Sequence, residues 1–309
     1  MLYKKSKNIL QLILKKSATK CASNKIMKKK ILKISFQGAL GSYSHQASTK
    51  VFKDSLVLPC ESFEEAIETV RTGKADKAIL PVDNSTYGRV ADIHSLLPAS
   101  KLFITAEYFL SVDICMLGTK SSSLTTVSTA TSHPVLLGQC KKFLKTNNIK
   151  PISGYDTAGS ARLISEENDK FKGALASKIA AQIYGLKVLQ ANVQDNKDNT
   201  TRFLVMEKKP KILIKQEKKV ITSILFQVRN IPAALYKAMG GFATNNVNMI
   251  KLESYMLGGS FEATQFFADI QGHPEDSSVK RALDELKYFT NKLDIIGVYK
   301  QSTFRDKYS

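Results

Sequence analysis

The chain has 309 residues, 43% hydrophobic and 24% charged, an ordinary composition for a folded protein with room for two or three domains. Its net charge of +19 is carried almost wholly by lysines spread along the chain, with only seven arginines and no recognisable nucleic-acid-binding motif. A solvated Lys-rich surface is therefore the expectation, not a nucleic-acid or membrane partner. No apolar run is long enough to cross a bilayer. The four cysteines, Cys21, Cys60, Cys115 and Cys140, form no Cys-x-x-Cys pair, which excludes a zinc cluster or disulfide framework and suits a reducing cytoplasm.

The first thirty residues contain ten lysines and no acid. They read as a disordered leader or an over-annotated start, with an organellar signal as the alternative. Residues 31–36 read as a strand, followed by the turn Gly38-x-x-Gly41-Ser42-Tyr43-Ser44 and a helix through Val51. A strand, a glycine turn and a helix start aim free backbone N–H groups at a ligand, although glycine also serves a turn with no ligand at all. Ser62-Phe63-Glu64-Glu65 is a capping box. The strand 78–82 then runs into Asp83-Asn84-Ser85-Thr86-Tyr87-Gly88, small and polar residues at the carboxyl end of a buried strand, where an α/β sheet displays its ligands. An ordinary loop of Asx turns is the bland alternative.

Residues 103–117 form a long β-rich stretch able to carry the chain from one lobe to another. A strand at 125–131 leads into Ser132-His133-Pro134 and a helix over 135–144. Ser132 suits an N-cap and Pro134 the first turn, and the side chain of Gln139 can reach back to the same end. His133 reads either as a base or as a local capping residue. The strand 151–155 is followed by a second small-residue helix start at Asp156-Thr157-Ala158-Gly159, and the strand 173–176 by a helix over 177–184. A cleft ringed by such helix ends suits a small molecule with two anionic groups.

Asn199-Thr200-Thr201-Arg202-Phe203 opens a strand that is apolar on consecutive positions, as in a parallel sheet buried on both faces. Hydroxyls and a guanidinium at that edge can hold an anion or donate to a leaving oxygen; threonines also simply favour strands. Residues 207–219 are a Lys-rich linker. Beyond it the predicted order is strand 221–228, helix 232–244, strand 249–255, a Gly258-Gly259 hairpin, strand 262–270, helix 277–290 and strand 294–299. That is the βαββαβ order of a ferredoxin-like module.

Four segments in register, the Gly38–Ser44 turn, Pro81-Val82-Asp83-Asn84-Ser85, Ser132-His133-Pro134 with Gln139, and Thr201-Arg202-Phe203, resemble the motifs of monofunctional prephenate dehydratases with a C-terminal ACT domain. The resemblance implies an α/β fold: a two-lobed catalytic domain of the type II periplasmic-binding-protein kind over 31–206, and an ACT domain over 220–303. One lobe would comprise 31–108 with 190–206, the other 109–189. It implies conversion of prephenate to phenylpyruvate in phenylalanine biosynthesis, without metal or cofactor. An arogenate dehydratase and a non-catalytic amino-acid sensor are the alternatives. The family's functional positions fall on Thr201, Asn84, Ser132 and Gln139. Thr201 would donate to the departing hydroxyl, Ser132 would hold the pyruvyl carboxylate, and Asn84 and Gln139 would orient the ring.

Gly41, Ser42, Ser44, Asp83, Ser85, His133, Thr157, Thr200, Arg202 and Phe203 would line the site. For Arg202 the choice is between a substrate carboxylate and a protein acid. Asp83 stands where the family has Glu. In the ACT domain Ala233-Ala234-Leu235 follows Pro232 where Pro-Gly-Ala-Leu is usual, and Glu253-Ser254-Tyr255-Met256 replaces Glu-Ser-Arg-Pro. Those residues would meet phenylalanine as effector, and the changes bear on its affinity. A homodimer or homotetramer is expected.

Overall fold

The computed structural model describes residues 31–211, 213, 217–229, 231–256 and 263–307. The predicted leader, parts of the linker, and the Gly258-Gly259 hairpin lie outside the described residues. Two sheets organise the rest. The first contains β1 (Lys33–Gln37), β2 (Leu56–Cys60), β3 (Lys77–Asn84), the short β4 (Gly88–Arg89), β5 (Phe103–Ser111) and β11 (Thr200–Glu207). The second contains β6 (Cys115–Gly118), β7 (Thr129–Ser132), β8 (Lys150–Ser153), β9 (Lys172–Ala176) and β10 (Lys187–Gln190), in the order β10-β6-β9-β7-β8. The β-rich stretch over 103–117 comprises two strands in different sheets, so the chain crosses between them after Ser111, and it returns after Gln190.

Helices α1 (Tyr43–Val51) and α2 (Phe63–Arg71) attach to the first sheet, followed by α3 (Ala91–Leu96). Each of the first two starts where a serine hydroxyl accepts an N–H three residues on: Ser42 from His45 and Ser62 from Glu65. On the second sheet, α4 (Pro134–Gln139) and α5 (Lys141–Thr146) replace the single helix predicted over 135–144; the backbone breaks at Cys140, where φ is −120°. The N-cap of α4 is His133, whose Nδ1 accepts from Val135 N–H, rather than Ser132. Helices α6 (Thr157–Glu167) and α7 (Lys178–Tyr184) are capped by Asp156 and Ser177. Among the described residues no helix is long and apolar enough to cross a membrane.

The C-terminal module comprises β12 (Val220–Val228), α8 (Ala234–Thr244), β13 (Met249–Met256), β14 (Ala263–Gln271), α9 (Ser277–Phe289) and β15 (Thr290–Lys300). Its sheet order β13-β14-β12-β15 is that of a ferredoxin-like fold. The module is not a separate body on a tether. Strand β15 pairs in parallel with β5 through Gly297 and Ile104, so one sheet runs β13-β14-β12-β15-β5-β11-β3-β1-β2. A Cβ at Gly297 would stand 2.6 Å from Ile104 Cβ and 2.7 Å from its carbonyl oxygen, so this join requires glycine.

Strand β11 is buried on both faces as expected, but it is antiparallel to both neighbours, β3 and β5. Burial of both faces follows from coverage, and an apolar run carries no information about strand direction. Phe203 lies in the core with Ile34, Phe36, Ile79 and Leu110, and is not a wall of the site.

Candidate active site

The antiparallel register sets Thr201 opposite Asn84 and Arg202 opposite Asp83. Successive side chains of a strand point to opposite faces. One face of this strand pair therefore carries Asn84 and Thr201, and the other carries Asp83 and Arg202.

On the first face, Asn84 organises the end of β3. Its Oδ1 accepts from the N–H groups of Thr86 (2.9 Å) and Tyr87 (3.0 Å). Its Nδ2 donates to Asn199 Oδ1 (2.7 Å) and to Thr201 Oγ1 (3.0 Å). All four bonds of the side-chain amide are made within the protein. Thr201, half-buried, accepts through its oxygen and retains its proton; among the described residues no acceptor takes it. Asn199 is only 2% exposed, and its Nδ2 is without a partner. Gln139, 8% exposed, likewise has a buried Oε1 with no donor.

The helix bearing Gln139 is brought to this face by two ties. Tyr87 donates its hydroxyl to Val135 C=O (3.1 Å), and Asp195 N–H donates to Gln139 C=O (2.7 Å). Thr201 and Asn84 lie on strands of the first sheet and Asn199 on the connection into it, while Gln139 lies on a helix packed on the second sheet. The unmade bonds are a donor at Asn199 and an acceptor at Gln139. Buried polar groups are rarely left unpaired unless a ligand or water completes them.

Several expected site residues are engaged elsewhere. Ser132 is 0% exposed and donates to Leu175 C=O (2.7 Å), tying β7 to β9, so its hydroxyl does not face a substrate. Gly41 (φ +92°) donates its N–H to His45 Nδ1 and accepts from the Ser177 hydroxyl; a Cβ there would lie 3.0 Å from Ala180 Cα. The turn is a packing joint between α1 and α7, not an anion cradle. Burial lowers the pKa of His45, in keeping with an Nδ1 that must accept. Ser42 is the N-cap, and Ser44 is buried within α1. Ser85 Oγ donates to Asp198 C=O and accepts from Thr200 N–H, which pins the loop before β11. Thr157 begins α6 behind the Asp156 cap, and His133 caps α4.

The opposite face is a charge cluster joining the first-sheet strands β3, β5 and β11 to the module. Arg202, 4% exposed, donates Nε to Glu107 (2.9 Å) and Nη2 to Tyr299 (2.9 Å). Its Nη1 lies 2.7 Å from Asp269 Oδ2, a contact of charge more than of hydrogen-bond angle, and 3.5 Å from Asp83. Arg305 closes on Glu107 through Nε (2.8 Å) and Nη2 (2.9 Å). Lys251 reaches Asp83 (2.7 Å) and Glu253 (2.9 Å). Four carboxylates (Asp83, Glu107, Asp269 and Glu253) thus face four cations (Arg202, Arg305, Lys251 and, at 3.6 Å from Glu253, Arg89). Arg202 pairs with protein acids, and of the two readings open from sequence the substrate carboxylate is the one set aside. Asp83 too is turned from the site, towards Lys251 and His94.

Burial alone would raise the Asp83 carboxyl. The hydrogen bond from His94 and the charges of Lys251 and Arg202 outweigh it and hold the group well below the usual carboxylate range. Glu107 is likewise lowered, its burial outweighed by Arg305 and Arg202. His94 Nε2 faces Val82 C=O (3.1 Å) and must donate, leaving Nδ1 facing the Tyr255 hydroxyl (3.0 Å). Burial pushes the Tyr255 hydroxyl up, so it stays protonated and able to donate.

In the module, Ala233 sits at φ +61° as the N-cap of α8, with Ala234 buried and Leu235 packed beside it. Glu253 points to Lys251 and to Arg89 (3.6 Å), whereas Ser254 is exposed on the other side of β13. The two lie on opposite faces of that strand. A cavity of about 460 Å³ beside the module, lined by Glu217, Lys219, Lys300 and Asp306 among others, shares no residue with the Asn84–Thr201 face.

A family profile described as prephenate dehydratase matches residues 34–211. A bifunctional N-acyl-homoserine lactone acylase/prephenate dehydratase of Komagataeibacter europaeus is 44% identical over 89% of this chain and 98% of its own. A chloroplastic arogenate dehydratase/prephenate dehydratase of Arabidopsis thaliana is 34% identical over 89% of this chain and 73% of its own. The crystal structure of a prephenate dehydratase from Arthrobacter aurescens in complex with L-Phe superposes with a TM-score of 0.79 at 26% identity, covering 87% of this chain and 90% of that one. With the profile spanning more than half its length and a 44%-identical relative covered over 98% of its own length, this chain belongs to the prephenate dehydratase family.

Proposed function

We propose that the chain is a prephenate dehydratase, converting prephenate to phenylpyruvate. The observation that carries this reading is the hydroxyl of Thr201, which accepts from Asn84 and keeps its own proton to give. In the reaction the bond from the ring to its carboxylate breaks and CO2 leaves. The electron pair moves through the ring, the bond to the ring hydroxyl breaks, and the oxygen departs with that pair and takes a proton from solvent to become water. Aromatisation drives the step. A threonine is too weak an acid to supply the proton outright. Its part is to stabilise charge on the leaving oxygen, as an oxyanion hole does. Gln139 Oε1, a buried acceptor without a donor, orients the substrate from the opposite side.

The C-terminal module acts as an ACT domain. Phenylalanine is its effector, a reading supported by the L-Phe complex of the Arthrobacter relative. The enzyme assembles as a homodimer or homotetramer. Incubation with prephenate, followed by assay for phenylpyruvate with and without phenylalanine, tests the proposal. Arogenate in parallel, assayed for phenylalanine, tests the amino substrate for which plant relatives are named. N-acyl-homoserine lactone hydrolysis, named for the Komagataeibacter relative, is assayed on the same preparation. Absence of phenylpyruvate would remove the reading.

A further inference from the structure

We infer that Asn199, and not Asn84, is the amide that meets the substrate, donating from Nδ2 to the departing oxygen beside Thr201; this rests on the dehydratase reading. The orientation of both amides follows from groups that cannot change their role. Backbone N–H groups only donate, so the Asn84 atom facing Thr86 and Tyr87 must be the oxygen. Its nitrogen then faces Asn199 and Thr201. A nitrogen with two protons requires acceptors at both places, so Asn199 presents its oxygen and Thr201 a lone pair. What remains is the Asn199 NH2 group and the Thr201 proton.

Asn84 has no bond left for a substrate. Asn199 has an amide nitrogen that is buried and without partner, although a buried donor left without its hydrogen bond is destabilising. Both free donors belong to side chains held by one nitrogen, at 2.7 and 3.0 Å, so they lie in one small region. Two donors so placed suit an oxygen that gains negative charge as its bond to carbon breaks. Asn84 is the positioning residue that holds the pair together.

The test is Asn199→Asp. This nearly isosteric change keeps an oxygen for the Asn84 amide and replaces the free NH2 with a carboxylate oxygen. For prephenate, kcat should fall on the order of 10²-fold while KM stays within about threefold. The variant's kcat relative to wild type should also recover as pH is lowered from about 8 to 5.5. Burial beside an anionic substrate raises the new carboxyl above its ordinary value of about 3.9, and its protonated form regains a donor. A purely structural role for Asn199 would produce no such recovery. If the Asp variant does not fold, Asn199→Ala replaces it. Its loss must be at least as large, and less than additive with Thr201→Ala, because the two side chains serve one oxygen.

Wild-type kcat in a folded variant, a loss confined to KM, or a flat pH ratio overturns the inference while the dehydratase reading stands. A wild-type chain inactive on prephenate and arogenate alike overturns both.

Discussion

The two faces of the β3–β11 strand pair differ as sharply as any two regions of the molecule, although their residues alternate one by one in sequence. Behind the strands, Asp83 and Arg202 join Glu107, Asp269, Arg305 and Lys251 in a cluster whose charges are matched and largely shielded from water. In front, Asn84, Asn199 and Thr201 carry no charge, and two donors there remain without acceptors. The rear face pairs its charges within the protein, whereas the front face leaves two donors free. Stability and chemistry are thus assigned to opposite sides of the same two strands, and a substitution on one side should leave the other's property nearly untouched.

The largest expected effect is on the rear. Asp269→Ala removes the acidic module partner of Arg202 in a dry site, leaving only the Tyr299 hydroxyl there, and should cost about 3–5 kcal/mol, read as a drop in Tm and in denaturant midpoint. Turnover per folded molecule should change little by comparison. Next is Thr201→Ala, expected to lower kcat on the order of 10²-fold, equivalent to about 2.7 kcal/mol, with Tm nearly unchanged. If Thr201→Ala lost stability and Asp269→Ala lost only activity, the division between the faces would be wrong.

Acid should attack the rear alone. Asp83 and Glu107 have folded-state pKa values below their unfolded ones. Their contribution is therefore complete above about pH 4–4.5, the unfolded range, and is lost as pH falls through the depressed values. Thermal melts from pH 7 to pH 3 should show Tm falling below about pH 4.5, and the fall should be smaller in Asp83→Asn, which has no such carboxyl to protonate.

Gly297→Ala, at the join of β15 to β5, forces a contact with Ile104 backbone and should cost about 1–3 kcal/mol. The smallest effect should be a gain. Ala233 is held at φ +61°, where an L side chain is strained by about 1–2 kcal/mol; glycine relieves that but adds freedom to the unfolded chain. The net for Ala233→Gly should be a stabilisation of about 0.5–1 kcal/mol, measured by denaturant unfolding.

Much of this arrangement was legible in the residues, because local patterns report local structure. The capping box at Ser62, the βαββαβ order of the module and the clustering of Asn84 with Thr201 all follow from periodicity, capping chemistry or motif. Strand direction was not legible: the apolar run from Phe203 to Met206 suggests a parallel strand, and antiparallel pairing on both sides buries it equally well. Ser132 looked substrate-facing because it sits at a helix start, yet which way it turns depends on Leu175, 43 residues on. The partners of Arg202 lie 95 positions before it in Glu107 and in the separate module in Asp269. Nothing within the Thr-Arg-Phe segment announces them. Asn199 stood at the head of that segment, but an asparagine before a strand reads as a turn residue; only its neighbours' bonds single it out.

The seam at Gly297 also bears on how the chain can be cut. With β15 removed, β5 would lose the strand that pairs with it at Ile104 and become an edge of the sheet. Bare strand edges of this kind recruit other chains. A fragment ended at the linker would expose such an edge together with the buried carboxylate of Glu107, stripped of Arg305. Aggregation of that fragment during expression is the expected consequence, and it would report on a missing neighbour more than on any intrinsic defect in the catalytic fold.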